Sequence, residues 1–168
     1  MKLYIKEKAI SIKDKFFVRD EKGDKVYEIR RKFEPAIGLK LYIFDMDGNE
    51  LAYIKEKNLA IKPKFRVFVG GEHTATIEKK IVALKPKYEV EELGWKIKGN
   101  IFEHNYKIVG EKGEAMNIHK GRLTLSDSFV LEFTDKKHVL EALAAVIAID
   151  CVMDEDDDYS DHFGIKYI

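Results

Sequence analysis

Two hydrophobic patterns divide this chain. Up to about residue 133, apolar and polar residues alternate in short runs: Phe65, Val67 and Val69 share one face of such a run, and Trp95 and Ile97 share one face of another. Alternation with a period of two is typical of antiparallel strands that have one buried face and one wet face. The pattern therefore predicts antiparallel β-sheet over most of the chain.

The second pattern is a continuous apolar run over residues 142–149, inside a segment from 136 to 153 that contains neither Gly nor Pro. Apolar residues on every side of a helix require a helix that is enclosed all round. We predict that Thr134 or Asp135 caps the start of this helix. Eighteen residues would span about 27 Å, so the segment suits a plug that runs through a barrel.

Internal repeats and turn signals give the number of strands. Residues 4–16, 53–65, 76–88 and 117–129 align with one another, and weaker copies cover 29–41 and 97–106. Each copy reads as a strand end, a connection and the aromatic start of the next strand. Glycines with nearby Asp or Asn at 20–24 and 45–49, and further Gly turns at 70–71, 93–94 and 110–113, predict hairpins. We predict a mainly β fold of one domain over residues 1–168: a closed antiparallel barrel of about twelve strands with a hydrophobic C-terminal helix through its centre. We also predict a final strand at 163–168, after an acidic turn.

The repeats, the Asp-x-x-Gly turns and the terminal helix together resemble the LURP-one-related family, which has the tubby C-terminal-like fold shared with phospholipid scramblases. The most specific matching stretches are residues 4–8, the turn region 42–51 and the helix that includes Asp150. The resemblance covers essentially the whole chain and implies a twelve-stranded barrel around a central helix. It implies no shared activity. Tubby proteins bind phosphoinositides through basic residues on the barrel exterior, and scramblases act on lipid bilayers, but no binding residue can be matched position by position.

The charge and the cysteine content limit the partners and the cellular compartment that we expect. The 30 basic and 30 acidic residues cancel, yet seven acids and one lysine lie from Asp150 onward, which leaves the first 149 residues with 29 basic and 23 acidic residues, a net charge of +6. This is far from the charge of a dedicated nucleic-acid binder, and no nucleic-acid partner is expected. Cys151 has no second cysteine to pair with, and the first twelve residues lack a signal-peptide pattern. We expect a cytoplasmic protein without a stable membrane span, because the apolar run is shorter than the ~20 residues that a bilayer requires.

No motif indicates catalysis or a cofactor. The histidines lack the spacing of a metal site, Cys151 reads as a small buried thiol, and no serine sits in a nucleophile elbow. His138 and Glu141 could form an acid–base pair one helical turn apart, but such a pair at a helix end is more often a solvent-facing device. We therefore expect no enzyme, no catalytic residue, no metal site and no cofactor.

The acidic run 154–161 invites a calcium interpretation, because Ca²⁺ prefers carboxylate oxygens. Asp154, Asp156 and Asp158 match the first ligand positions of an EF-hand loop, but Tyr159 and Ile165 stand where that loop requires Gly and Glu. A solvated acidic turn is the favoured interpretation.

Lysines recur at equivalent positions of the repeats. Equivalent hairpins would gather them at one rim of the barrel, and the predicted basic rim consists of Lys13, Lys15, Lys62, Lys64, Lys85 and Lys87. Such a rim could bind an anionic lipid or phosphate, although exposed strand lysines more often provide solubility and protect sheet edges.

Two functional hypotheses remain. The first is a non-enzymatic module that binds an anionic phospholipid, a phosphoinositide or a protein partner. The second is a membrane-associated, scramblase-like protein whose helix leaves the barrel and inserts into lipid. Amide exchange distinguishes them, because a plug helix exchanges slowly and an inserting helix does not.

Overall fold

The structure is a computed structural model that describes residues 1–6, 14–36, 38–57, 64–82, 85–121 and 128–163, without the side chains of 81, 85, 86 and 152–163. The described residues form twelve strands and one helix. Their bounds are β1 (Lys2–Lys6), β2 (Lys15–Arg19), β3 (Lys25–Glu34), β4 (Gly38–Phe44), β5 (Glu50–Glu56), β6 (Lys64–Val69), β7 (Glu72–Val82), β8 (Lys85–Val90), β9 (Trp95–Asn100), β10 (Asn105–Gly110), β11 (Gly113–Lys120), β12 (Ser128–Phe133) and α1 (Val139–Phe163).

The strands close into a barrel. Each pairs antiparallel with its neighbours in sequence, and β1 returns to pair with β12 over five residues, from Lys2 opposite Glu132 to Lys6 opposite Ser128. Closure removes the exposed sheet edges that an open sheet of this size would present. The predicted barrel of about twelve antiparallel strands is confirmed.

The period-two alternation decides which side chains fill the barrel. In β6, Phe65 and Val67 are buried, and in β9, Trp95 and Ile97 are buried while Lys96 between them is exposed. Successive side chains of a strand point to opposite faces. The apolar half of each strand therefore faces inward and the charged half faces water.

The repeats place large aromatic side chains at one level of the barrel. Phe16, Phe65, Tyr88 and Phe129, which end the four aligned copies, are each at most 4% exposed, and Tyr106 near the start of β10 is buried as well. The structure confirms that each of these copies contains the end of one strand and the start of the next. Residues 7–13, 58–63, 83–84 and 122–127 of the connecting segments lie outside the described residues.

Helix α1 is the plug that the sequence predicts. Every residue from 142 to 149 is at most 1% exposed. The helix begins at Val139, four residues after the predicted cap Asp135, whose carboxylate instead accepts a hydrogen bond from the Lys137 amide at 2.8 Å. Asp135 thus caps the turn that leads into the helix, and the His138 carbonyl accepts the first helical bond, from the Ala142 amide at 3.0 Å.

The helix also extends further than predicted. It continues through the acidic residues to Phe163, so the expected acidic turn is wrong. The expected final strand is also wrong at Phe163, which is helical, and the rest of it, 164–168, lies outside the described residues. Twelve strands are complete before α1 begins, so the barrel needs no strand after it.

The barrel has two different mouths. The turn-side mouth carries the short hairpin turns and the start of α1; glycines with positive φ occupy these turns at Gly23, Gly48, Gly70, Gly71, Gly94 and Gly113, as predicted. The loop-side mouth carries the β1–β2, β3–β4, β5–β6, β7–β8, β9–β10 and β11–β12 connections. At this mouth Asp150 of α1 meets His104 of the β9–β10 connection. The helix therefore enters the barrel at one mouth and leaves at the other.

Removing core volume from the plug tests this arrangement. We expect Ile147→Ala, at a fully buried position, to lower the free energy of unfolding by about 2–5 kcal/mol, because the surrounding wall relaxes only partly into the cavity. Leu140→Ala, at a half-buried position of the same helix, is the matched control and should cost clearly less. Urea unfolding followed by circular dichroism measures both, and equal losses would contradict enclosure of the helix.

Candidate functional site

The predicted basic rim is only partly open to a ligand. Lys15 and Lys64 begin β2 and β6, and Lys87 lies in the first half of β8, so all three stand toward the loop-side mouth. Lys13 and Lys62 lie outside the described residues, as does the side chain of Lys85. The structure therefore describes three of the six predicted rim side chains.

Glutamates on neighbouring strands already pair with several of the lysines. Lys15 Nζ lies 3.2 Å from Glu28, and Lys64 Nζ lies 3.2 Å from Glu78. Lys80 contacts Glu89 at 2.6 Å, and this hydrogen bond raises the pKa of Lys80. These lysines are partly neutralised within the wall. Lys87, in contrast, is exposed and has no ion pair among the described residues.

Lys87 lies beside an interruption in the barrel wall. Strands β8 and β9 are paired only at Glu89 opposite Lys96 and Val90 opposite Trp95, next to the turn that joins them. The other neighbouring strands share five or more pairs, apart from β1 and β2, which share the pair Tyr4 and Arg19. We call the gap between residues 85–88 of β8 and 97–100 of β9 the seam.

Two features of the sequence accompany the loss of pairing. Pro86 of β8 has no N–H to donate to a ladder. Gly99 lets β9 approach β10 closely: its φ is +124°, and a methyl group there would lie 2.6 Å from the carbonyl oxygen of Asn105. Only glycine tolerates this backbone and this close approach. Both features belong to the local sequence of the two strands.

The seam forms a groove of about 440 Å³ with a charged rim. Its floor is apolar and buried, and consists of Tyr88, Ile97 and Ile101. Its rim carries three exposed lysines that have no ion pair among the described residues: Lys87, Lys96 and Lys98. The sequence analysis identified Lys87 as a candidate site residue but not Lys96 or Lys98. The alternation of these two lysines with Trp95 and Ile97 indicates that they point outward, but it does not reveal that β9 lacks a paired strand beside them.

A buried polar contact closes the barrel beneath this mouth. His104 Nε2 lies 2.7 Å from the Asp150 carboxylate, and the His104 ring stacks on Phe129 at a centroid distance of 4.1 Å. His104 has φ +49°, a left-handed conformation that is uncommon for a residue other than glycine. Burial, followed by the negative charge of Asp150, raises the pKa of Tyr106 far above its usual range. The contact between His104 and Asp150 therefore holds the end of the enclosed helical segment at the loop-side mouth.

The second histidine–carboxylate pair lies at the turn-side mouth. His138 Nδ1 is 3.5 Å from Glu141, and the His138 ring meets Trp95 edge-on at 5.8 Å between centroids. Glu141 is 7% exposed. The expectation that this pair faces solvent is therefore wrong for Glu141, because the helix enters the barrel within its first turn.

The outer wall carries an aromatic ladder that the sequence did not reveal. Tyr42, Tyr53 and Phe68 stand side by side across β4, β5 and β6, with Tyr53 and Phe68 stacked at 4.5 Å. The Arg30 guanidinium lies 4.3 Å from the Phe44 ring centroid at one end of the ladder. The faces of these rings are covered by neighbouring rings, and aromatic cross-strand pairs of this kind stabilise a sheet. The ladder therefore has a structural role in the barrel wall.

The described residues contain no group of three or more His, Cys, Asp or Glu side chains that could hold a metal ion. The side chains of the acidic run 154–161 lie outside that search, so the calcium interpretation stays a hypothesis. Cys151 is 1% exposed on the inner part of α1, which confirms the predicted buried thiol.

Comparison with known proteins gives the family. A family model described as LURP-one-related matches residues 1–150. The chain belongs to the LURP-one-related family. The match covers all twelve strands and the enclosed part of α1, and it confirms the resemblance seen in the sequence.

This LURP-one-related chain is similar to a curated protein in sequence and to a solved structure in fold. It is 27% identical over 160 residues to YxjI of Bacillus subtilis (strain 168), described as an uncharacterized protein, covering 95% of this chain and 98% of the relative. It is also similar to the X-ray structure of a protein from Arabidopsis thaliana, AT5G01750, with a TM-score of 0.59 and 18% identity over 89% of this chain and 90% of that one.

Within the described residues, no helix has the length and hydropathy needed to cross a bilayer.

A double-mutant cycle tests the contact that closes the loop-side mouth of this LURP-one-related barrel. We expect His104→Gly to destabilise the protein by about 1–3 kcal/mol, because a buried carboxylate loses its hydrogen-bond partner. Glycine adopts the positive φ without strain, and the comparison with the Asp150 variant separates the contact with Asp150 from the other effects of removing the side chain. In an Asp150→Asn background the same change should cost less, giving a coupling of at least about 0.5 kcal/mol by urea unfolding. Additive losses would show that the two groups do not interact.

Proposed function

We propose that this LURP-one-related protein is a non-enzymatic cytoplasmic module that attaches to anionic phospholipid surfaces through its loop-side mouth. One observation carries the proposal. Lysines on four different strands or strand ends stand toward this mouth, are exposed, and have no ion pair among the described residues: Lys6, Lys57, Lys87 and Lys98. Cations without partners are available to an external anion, whereas Lys15 and Lys64 are held by glutamates.

The expected attraction is modest and reversible. A lysine near an anionic membrane contributes about 1 kcal/mol, and this contribution decays over a Debye length of about 8 Å at physiological salt. The first 149 residues carry a net charge of +6, but the acidic part of α1 follows the loop-side mouth and opposes a close approach. Binding should therefore depend strongly on lipid charge and on ionic strength.

The histidine–carboxylate pairs support the non-enzymatic part of the proposal. Both have a structural role: His104 joins Asp150 of the helix to the β9–β10 connection, and His138, beside Glu141, packs against Trp95 at the helix entry. A catalytic pair needs a reacting group within reach, and the ring of His104 is instead covered by Phe129. A single cysteine, Cys151, suits a reducing compartment such as the cytoplasm.

Vesicle flotation tests the lipid proposal. We expect the protein to float with vesicles of phosphatidylcholine that contain 20% phosphatidylserine and 5% phosphatidylinositol bisphosphate, and not with phosphatidylcholine alone. Lys6→Glu/Lys57→Glu should reduce the bound fraction about tenfold or more, because two attractions become repulsions. The matched control is Lys22→Glu/Lys112→Glu, which changes the charge equally on two turns of the turn-side mouth.

The control variant should float as the parent protein does, and binding of the parent should fall steeply between 50 and 300 mM salt. Equal loss in both double variants would indicate a response to total charge and no defined surface. Absence of flotation on every vesicle would remove the lipid proposal.

Amide exchange decides whether the helix leaves the barrel on lipid, as the scramblase-like alternative requires. We expect residues 142–149, which are at most 1% exposed, to remain among the slowest-exchanging amides of the protein, both alone and bound to the anionic vesicles. Hydrogen–deuterium exchange read by mass spectrometry measures this. Protection that is lost on vesicles, while strands β3–β5 stay protected, would instead establish insertion of the helix.

A further inference from the structure

The two strands that border the seam are each paired on their outer side. Strand β8 pairs with β7 over six residues, from Val90 opposite Ile77 to Lys85 opposite Val82, and β9 pairs with β10 over five. Past Lys96, β9 has no ladder partner on the side of the seam among the described residues, and the backbone groups of Ile97 and Gly99 face this side. On β8 the corresponding edge contains Pro86, which has no N–H to donate. The free edge of β9 is a template for another extended chain.

The charges along the seam have one sign. Lys87, Lys96 and Lys98 border it without ion pairs in the described structure, while Glu89, the carboxylate beside them, is held by Lys80 at 2.6 Å. Lys96 and Lys98 are two residues apart on one strand, a spacing of about 6.6 Å. Carboxylates on alternate residues of an extended chain have the same spacing.

The floor of the seam is apolar, in contrast to its charged rim. Tyr88, Ile97 and Ile101 lie at its base and are at most 8% exposed. A strand placed in the seam would direct every second side chain toward this apolar floor and the others outward beside the lysines, because side chains alternate along a strand. The seam therefore matches a peptide in which apolar and acidic residues alternate.

We propose that the seam between β8 and β9 is a peptide-binding site that accepts an extended segment of a partner protein, with alternating apolar and acidic residues, as an added strand. Main-chain hydrogen bonds to the free edge of β9 provide affinity, and the apolar floor and the lysines provide selectivity, as in other cases of strand addition. A phospholipid headgroup would use the lysines but not the backbone edges.

A designed peptide tests the proposal directly. The probe is an acetylated and amidated hexapeptide that alternates glutamate and valine, added to ¹⁵N-labelled full-length protein and followed by NMR. We expect chemical-shift changes concentrated at residues 87–89 and 96–99, saturating at or below 1 mM. A peptide of the same sequence with N-methyl groups on alternate backbone amides should bind about tenfold more weakly or worse, because it cannot complete the ladder.

Charge variants distinguish peptide binding in the seam from the contribution of Lys6 and Lys57, the two lysines of the lipid surface that lie outside the seam. The Lys96→Glu/Lys98→Glu variant should bind the peptide about tenfold more weakly or worse. The Lys6→Glu/Lys57→Glu and Lys22→Glu/Lys112→Glu variants should bind it with an affinity within about twofold of the parent protein, because exposed charges away from the contact contribute little to binding. The Lys96 and Lys98 side chains are exposed, and an unchanged urea midpoint verifies that the variant folds.

Four results would overturn the inference. Three are no shift changes at 2 mM peptide, equal binding of the N-methylated peptide, and binding of a peptide with lysine in place of glutamate at the same residues. The fourth is competition in which inositol hexakisphosphate displaces the peptide and alone reproduces its shift changes, which would assign the seam to a phosphate ligand. The peptide result does not depend on flotation, so either proposal can fail alone.

Discussion

The enclosure of residues 142–149 is the constraint on which the rest of the structure depends. A helix that is apolar on every side is stable in water only when a wall surrounds it completely, and a barrel wider than about eight strands leaves interior space that its own side chains do not fill. The two requirements meet here. Alanines at 142, 144, 145 and 148 keep the helix narrow, and large inward side chains such as Phe65 and Tyr106 reach it from the wall.

The polar residues of the helix fix its position along the barrel axis. Glu141 lies within the first turn, beside His138 of the same segment, whose ring contacts Trp95 of the wall. Asp150 lies just after the apolar run and meets His104 of the β9–β10 connection. Displacing the helix by one turn, about 5.4 Å, would move one carboxylate into the apolar interior, and burying an uncompensated charge is strongly unfavourable. The apolar run provides the driving force for enclosure, and the two carboxylates specify the depth.

The sequence predicted the barrel and the plug because both depend on local periodicity. Alternation placed Phe65 and Val67 inside, and glycine turns such as the one at Gly48 located the hairpins. The end of the helix was misjudged because the apolar pattern ends near Met153, whereas the helix ends at Phe163. Once α1 has passed the loop-side mouth, its side chains no longer need to be apolar, so the pattern that defined the helix carries no information about its continuation.

The site was harder to predict because it depends on which strands are neighbours. Lys15 and Lys64 are neutralised by Glu28 and Glu78, residues 13 and 14 positions further along the chain, and only the strand register brings each pair together. The gap beside Lys87 and Lys98 likewise depends on how two strands pair, and neither strand reveals it alone. The gap is also compatible with stability: Ile101 and the pair of His104 with Asp150 seal the core beneath it. The wall can therefore remain open at the surface, where a ligand would contact it, without exposing the helix that holds the barrel together.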